Sequence, residues 1–186
     1  MAERRGLRPI EDRLLDAASA RARAGARRRH MHNFHRDAAE PIQRMLNALE
    51  PESYVQPHRH RPGSEVEIFV GLRGRLGVLA FDEAGAVCAA FVLDPAGPVR
   101  GIEIPAGIWH TILALEPGTV VYEVKAGPYD PARAKEPAPW APPEGDPRAT
   151  GYLARLREAL DLGAPIPSSP RQPPERESAG PRSPGG

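Results

Sequence analysis

Cysteine is nearly absent: Cys88 stands alone among 186 residues, so no intrachain disulfide can form, and nothing beside it supplies a CxxC or zinc-ribbon spacing. Any metal must be held by other side chains. Long apolar runs are missing too, since no window approaches the roughly 18 consecutive apolar residues that cross a bilayer, and no membrane partner is expected. The opening stretch MAERRGLRPIEDRLL carries charges where a secretory leader needs an apolar run. Its acids Glu3, Glu11, Asp12 and Asp16 disfavour an organellar presequence, which makes a cytoplasmic location the default expectation. A strong net charge is also lacking: the formal value is +1, although residues 1–36 hold ten Arg against four acids and the rest of the chain fifteen Lys and Arg against twenty. Arginine is a good helix former with a long apolar stem, so RLLDAASARARAGARRR reads as a helix with a solvated basic face, and no nucleic-acid partner is expected.

What is present divides into textures. Residues 1–30 read as a basic N-terminal helical extension, because 10–29 lack proline and begin with acids suited to a helix N-terminus. A second N-terminal helix is expected over 37–49, where Ile42, Met45, Leu46 and Leu49 fall at helical spacing before Pro51, with Met45 as core. From 53 to 126 short apolar runs alternate with turn residues every eight to twelve positions, which predicts seven or eight strands in a sandwich or closed barrel. The expected metal-binding domain covers 31–145, and a short amphipathic helix follows at 146–162. Residues 163–186 are proline-rich and polar, a composition expected to stay disordered.

Chemistry concentrates in two places. In PHRH, His58 and His60 lie two apart in a strand and project to the same side, where neutral imidazoles can share one ion. A strand downstream carries Glu65 and Glu67 at the same parity, before a glycine turn at Gly74; a carboxylate beside imidazoles suits a borderline-hard divalent cation. Further on, IPAGIWH sets Pro105, Gly107 and His110 in a turn-then-strand pattern that delivers a third imidazole. Arg59, between the two histidines, should point outward to a salt bridge or a dimer contact. On TVVYEVK, Val121, Glu123 and Lys125 share one side; if that side faces a cavity, Glu123 is a candidate general base and Lys125 a candidate for neutralising an anionic substrate, with Glu103 of similar status. Val66, Ile68, Val70 and Leu72 fall on the outward face of the Glu67 strand, which must then be covered by helices or a second subunit.

His58-x-His60, a glutamate upstream of Gly74, and Pro105-x-Gly107-x-x-His110 resemble the two motifs of the cupin superfamily. Within it, NFH at 33–35, IQRMLNAL, YVQPHRH, EIFVGLRGRLGVLAFDEAG, IEIPAGIWHT, VVYEVKAGPYDP and WAPPE are similar to the WbuC-type cupin metalloproteins over about residues 29–144. The resemblance implies a mainly β double-stranded β-helix, a jelly-roll barrel, holding one divalent transition metal, Fe, Mn, Ni or Zn, on His58, His60, a glutamate and His110. The motif's count from the second histidine selects Glu65 and its count back from Gly74 selects Glu67; the EIFVGLRG run favours Glu67, with Glu65 the alternative. Asn33, His35, Tyr54, Tyr129 and Trp140 recur in the same pattern and are further candidates. A homodimer, a small-molecule ligand and a metal-dependent isomerase, epimerase or oxygenase in surface-polysaccharide metabolism are what the resemblance implies; the alternative is a non-catalytic cupin that binds or senses a small ligand.

Overall fold

The computed structural model describes residues 6–60, 66–130 and 135–161. The expectations for the 163–186 tail and for Glu65 lie outside those residues. Two antiparallel five-stranded sheets face one another, with a helix on the outer side of each. In chain order the elements are α1 (Asp12–Ala24), β1 (Arg29–Asn33), β2 (Ile42–Leu49), β3 (His58–Arg59), β4 (Glu67–Arg73), β5 (Leu76–Phe81), β6 (Val87–Leu93), β7 (Gly101–Ile104), β8 (Trp109–Ala114), β9 (Thr119–Ala126), β10 (Glu136–Pro137) and α2 (Ala149–Asp161). One sheet has the order β1-β2-β9-β4-β7 and the other β10-β3-β8-β5-β6. The chain therefore crosses repeatedly from sheet to sheet, as a double-stranded β-helix does.

Alternation sorts the side chains. Between the sheets, Leu49, Val55, Phe69, Leu76, Val78, Leu93, Ile104, Ile112 and Val121 make the central core. Outside the first sheet, α1 lays Leu15, Ala18 and Ala22 on Phe34, Leu46, Ala48 and Val120. Those positions follow the helical period, and the two alanines let the helix backbone come close. Gly25 closes α1 with its N–H shared between the carbonyls of Arg21 and Ala22. Against the second sheet, α2 sets Leu153 and Leu156 on Leu79, Phe81, Trp109 and Leu113. An added Cβ at Gly77 would lie 2.3 Å from Leu160 Cδ1, so a side chain there would make Leu160 of α2 repack. No helix among the described residues is long and apolar enough to cross a membrane.

One expected helix is a strand. Residues 42–49 form β2, paired along its whole length with β9 and over five residues with β1. Its inward residues, Gln43, Met45, Asn47 and Leu49, alternate with Leu46 and Ala48, which face α1. A strand buried on both faces shows apolar residues on both parities, and here they happen to coincide with a helical count. β1 was not anticipated either; α1 ends at Ala24 and the chain enters the sheet at Arg29. Leu72, on the outward side of β4, packs against the α1 cluster, whereas Val66 and Val70 are exposed.

Candidate metal centre

His58 on β3 and His110 on β8 are cross-strand partners in one sheet, and their rings sit 4.6 Å apart between centroids. His60 follows two residues later, on the same side. Glu67 opens β4 in the opposite sheet. One ligand atom from each of the four lies within 4.8 Å of every other, and all four residues are buried. The expected motif residues are thus brought together, and they join the two sheets.

The backbone aims the imidazoles. His58 Nδ1 donates to the Gln56 carbonyl at 3.0 Å and His110 Nδ1 to the Ile108 carbonyl at 2.9 Å. Because a carbonyl only accepts, these bonds fix the Nδ1–H tautomer and leave each Nε2 lone pair for the site interior. The turn before β8 depends on Gly107, whose φ of +86° is accessible to glycine at little cost. Its N–H donates to the His60 carbonyl at 2.8 Å and ties the third imidazole's strand to that turn. Arg59 points outward as its parity requires, donating to Glu136 through Nε and Nη2, each at 3.1 Å, and lying 4.2 Å over the Trp109 ring. This clamp holds β3 against β10 and keeps both neighbouring histidines facing in.

Glu67 Oε2 is 3.2 Å from His60 Nε2 and 3.1 Å from His110 Nε2. With Nδ1 of His110 already donating, its Nε2 and a carboxylate oxygen are two acceptors face to face, which only a proton or a cation between them can make favourable. Adjacent ligands about one ion, with bonds of roughly 2.0–2.2 Å, sit about 3 Å apart, so the observed spacing fits a metal. Burial, then the neighbouring His110 and Lys135 charges, drive His58 well below its usual value and keep it neutral, as a ligand must be. Burial alone would raise Glu67, but the positive charge that must lie between it and the His110 and His60 imidazoles outweighs burial and holds the carboxyl well below the usual range.

Beside this cluster, Glu123 and Lys125 on β9 face inward as their parity allows. Lys125 Nζ lies 3.2 Å from Glu123 Oε1 and 4.0 Å from Glu67 Oε1. Asn47 Nδ2 donates to Glu123 Oε2 at 3.1 Å. Burial and then the Glu67 charge push Glu123 up to about 7, opposed by Lys125. The Lys125 ammonium, despite burial, is held above its usual value by Glu123 and Glu67. Glu103, by contrast, is on the exposed side of β7.

The cluster and this network open into one cavity of about 560 Å³. Asn33, His35 and Tyr129 line it, while Tyr54 and Trp140 belong to the outer cluster under α2, where the Tyr54 hydroxyl donates to the Pro142 carbonyl at 2.8 Å. Residues that sequence reasoning missed complete the wall: Gln43, Met45 and Asn47 from β2, Arg27 and Arg29 around β1, and Lys135. The signal for the β2 group was the period-two alternation in QRMLN, masked by the competing helical count. Asn47 Oδ1 is buried in the wall and accepts no hydrogen bond among the described residues.

Residues 10–93 match a family model described as a domain of unknown function, DUF6016. No curated protein matches the chain. Among solved structures, the chain is similar to the Lactobacillus farciminis oxalate decarboxylase, at 20% identity and a TM-score of 0.42, over 59% of this chain and 35% of that one. It is also similar to KdgF from a Halomonas species, at 18% identity and a TM-score of 0.39, over 56% and 80% of the two chains. The Schizosaccharomyces pombe Cnp3 cupin domain matches at 13% identity and a TM-score of 0.40, over 53% and 64%. The aligned region spans about a third of the oxalate decarboxylase chain.

Proposed function

We propose that this chain is a metal-binding cupin whose His58, His60, Glu67 and His110 hold one divalent transition metal, and that it is an enzyme acting on a small polar molecule within the adjoining cavity. The observation that carries the reading is the pair of acceptors, His110 Nε2 and Glu67 Oε2, held 3.1 Å apart in a buried site with the imidazole's other nitrogen already committed. Three neutral imidazoles and one carboxylate would leave a divalent ion with about one net positive charge, and the chemistry it would supply is Lewis acidity toward an oxygen ligand.

The chain's own groups do the rest. Glu123, fixed by Asn47 and Lys125, stands where it can take a proton from a bound molecule or return one. Lys125, set between Glu67 and Glu123, keeps the two carboxylates from repelling one another and offers its charge to an anionic group. Asn47 Oδ1 offers an acceptor to a hydroxyl. Buried Phe69 and Ile112 exclude water from the inner wall. The sequence resemblance to WbuC-type cupins directs the first substrates to try toward sugars and sugar acids, with isomerisation, epimerisation or oxygen chemistry as the reaction class.

Elemental analysis of protein from metal-supplemented cells tests the site. Near-stoichiometric transition metal is expected in the wild type, with a large loss in His110→Ala and Glu67→Gln. Comparable loading in all three proteins would sink the proposal.

A further inference from the structure

Among the described residues the cavity is lined by Arg27, Arg29, Arg36, Lys125 and Lys135 against Asp37, Glu67 and Glu123, so positive charge is in excess. Arg27 donates through Nε at 3.0 Å and Nη2 at 2.6 Å to Glu144 Oε2, and Arg29 pairs with the other oxygen of the same carboxylate. One carboxylate therefore serves two guanidiniums. Arg29 also donates to the Tyr54 carbonyl at 2.8 Å and is almost wholly enclosed, which fixes it in place. Lys135, at the solvent-facing end, lines the same cavity and forms no ion pair among the described residues. Desolvation lowers its ammonium; Glu144 opposes this, and Arg29, Arg27 and Lys125 add to it, so the ammonium ends below its ordinary value. Lys135 and the four candidate ligands line the same cavity.

A surplus of cations lining a cavity that also suits a metal has a chemical meaning. Water-filled, these groups repel one another; a ligand with an anionic tail relieves the repulsion and receives charge-assisted hydrogen bonds. We infer that the molecule bound here has two polar ends: an oxygen chelate for the metal and a second anionic group, phosphate or carboxylate, received by Lys135 and Arg29. This deepens the function proposed above and rests on the metal site being real.

Three 2-hydroxy acids separate the possibilities. Glycerate carries the chelating end alone, malate adds a carboxylate, and 3-phosphoglycerate adds a phosphate. Each is titrated calorimetrically into the full, metal-loaded chain, with metal content measured on the same samples. A charge-assisted contact of this kind is worth about tenfold in affinity, so malate or 3-phosphoglycerate is expected to bind about tenfold tighter than glycerate. Lys135→Met abolishes that advantage and weakens glycerate far less than malate or 3-phosphoglycerate; whichever acid loses most identifies the preferred anion. Arg100→Gln, an exposed charge outside the cavity lining, serves as the control for net charge and leaves all three unchanged. Equal affinities for the three acids in the wild type, binding of none of them, or the same loss in Arg100→Gln as in Lys135→Met would overturn the inference. A protein without metal would overturn the metal site itself, a distinguishable failure.

Discussion

Because its four proposed ligands come from both sheets, the metal can bind only while the sheets face one another, and loading must therefore appear as stability. A ligand specific to the native state stabilises it by about 4.1 kcal/mol when its free concentration is about a thousand times Kd. For a domain of this size each kcal/mol moves Tm by about 2–4 °C, so the loaded protein should melt roughly 8–16 °C above the chelated one. Glu67→Gln makes the reasoning sharper because it moves the two states in opposite directions. Without metal, the amide can donate to the His110 Nε2 that a bare carboxylate faces at 3.1 Å, and it removes the charge that pushes Glu123 up. The chelated variant is therefore expected to melt no lower than the chelated wild type. With metal, a lost anionic ligand should remove most of the shift. Circular dichroism melts in chelator and in excess manganese or zinc read both numbers. A Glu67→Gln protein that keeps the full metal shift, or that loses stability equally with and without metal, would refute the account.

Other expectations follow from single features of the fold. Leu113 is fully buried between the sheet and α2, and Leu113→Ala should cost about 2–5 kcal/mol, seen as a lower urea midpoint at unchanged m. Gly107→Ala forces an alanine to φ +86°, at about 1–2 kcal/mol, and disturbs the turn bonded to His60, so Tm and metal content should fall together; loss of Tm with full loading would separate the turn from the site. Burial would raise the Glu144 carboxyl, but Arg29 and Arg27 hold it below its ordinary value of 4.5. A depressed folded value adds stability above the unfolded value that is lost as pH falls through the folded one. Urea midpoints measured from pH 6 to 3 should accordingly drop less steeply in Glu144→Gln than in the wild type, and parallel curves would discount the ion pairs.

Most of the strands from β4 to β9 were legible because glycine turns separate them: Gly74 at φ +65°, Gly85 at +86°, Gly107 at +86° and Gly118 at +71° punctuate the runs, and the φ > 0 at these positions is nearly free only for glycine. β2 was not legible. Its two faces are both covered, one by α1 and one by the cavity, so the polar residues that should have marked an outer face, Gln43 and Asn47, are the inward ones. A pattern rule that equates apolar with inside and polar with outside inverts there. β1 escaped for a different reason: it is an edge strand of Arg, His, Met, His and Asn, with no apolar alternation, and it pairs only because β2 offers its backbone.

The same contrast explains which parts of the site could be read in advance. Metal ligation packs its residues into short local signals, two histidines at strand parity and a glycine turn before a third, since the ion demands atoms within a few ångströms and neighbouring strand positions meet that cheaply. The rest of the cavity has no such economy. Register alone sets Met45 opposite Glu123, Glu123 opposite Phe69 and Glu67 opposite Lys125, so that each strand contributes one or two groups to a wall that exists only across the sheet. Arg29 and Lys135 arrive from the edges of the two sheets, β1 and the approach to β10; Arg29 pairs with Glu144 from a third segment, and Lys135 lines the same cavity. What the ligand motifs disclose is how an ion can be held; what selects a molecule is assembled from residues a hundred positions apart, and it is there that specificity of this cavity must be sought.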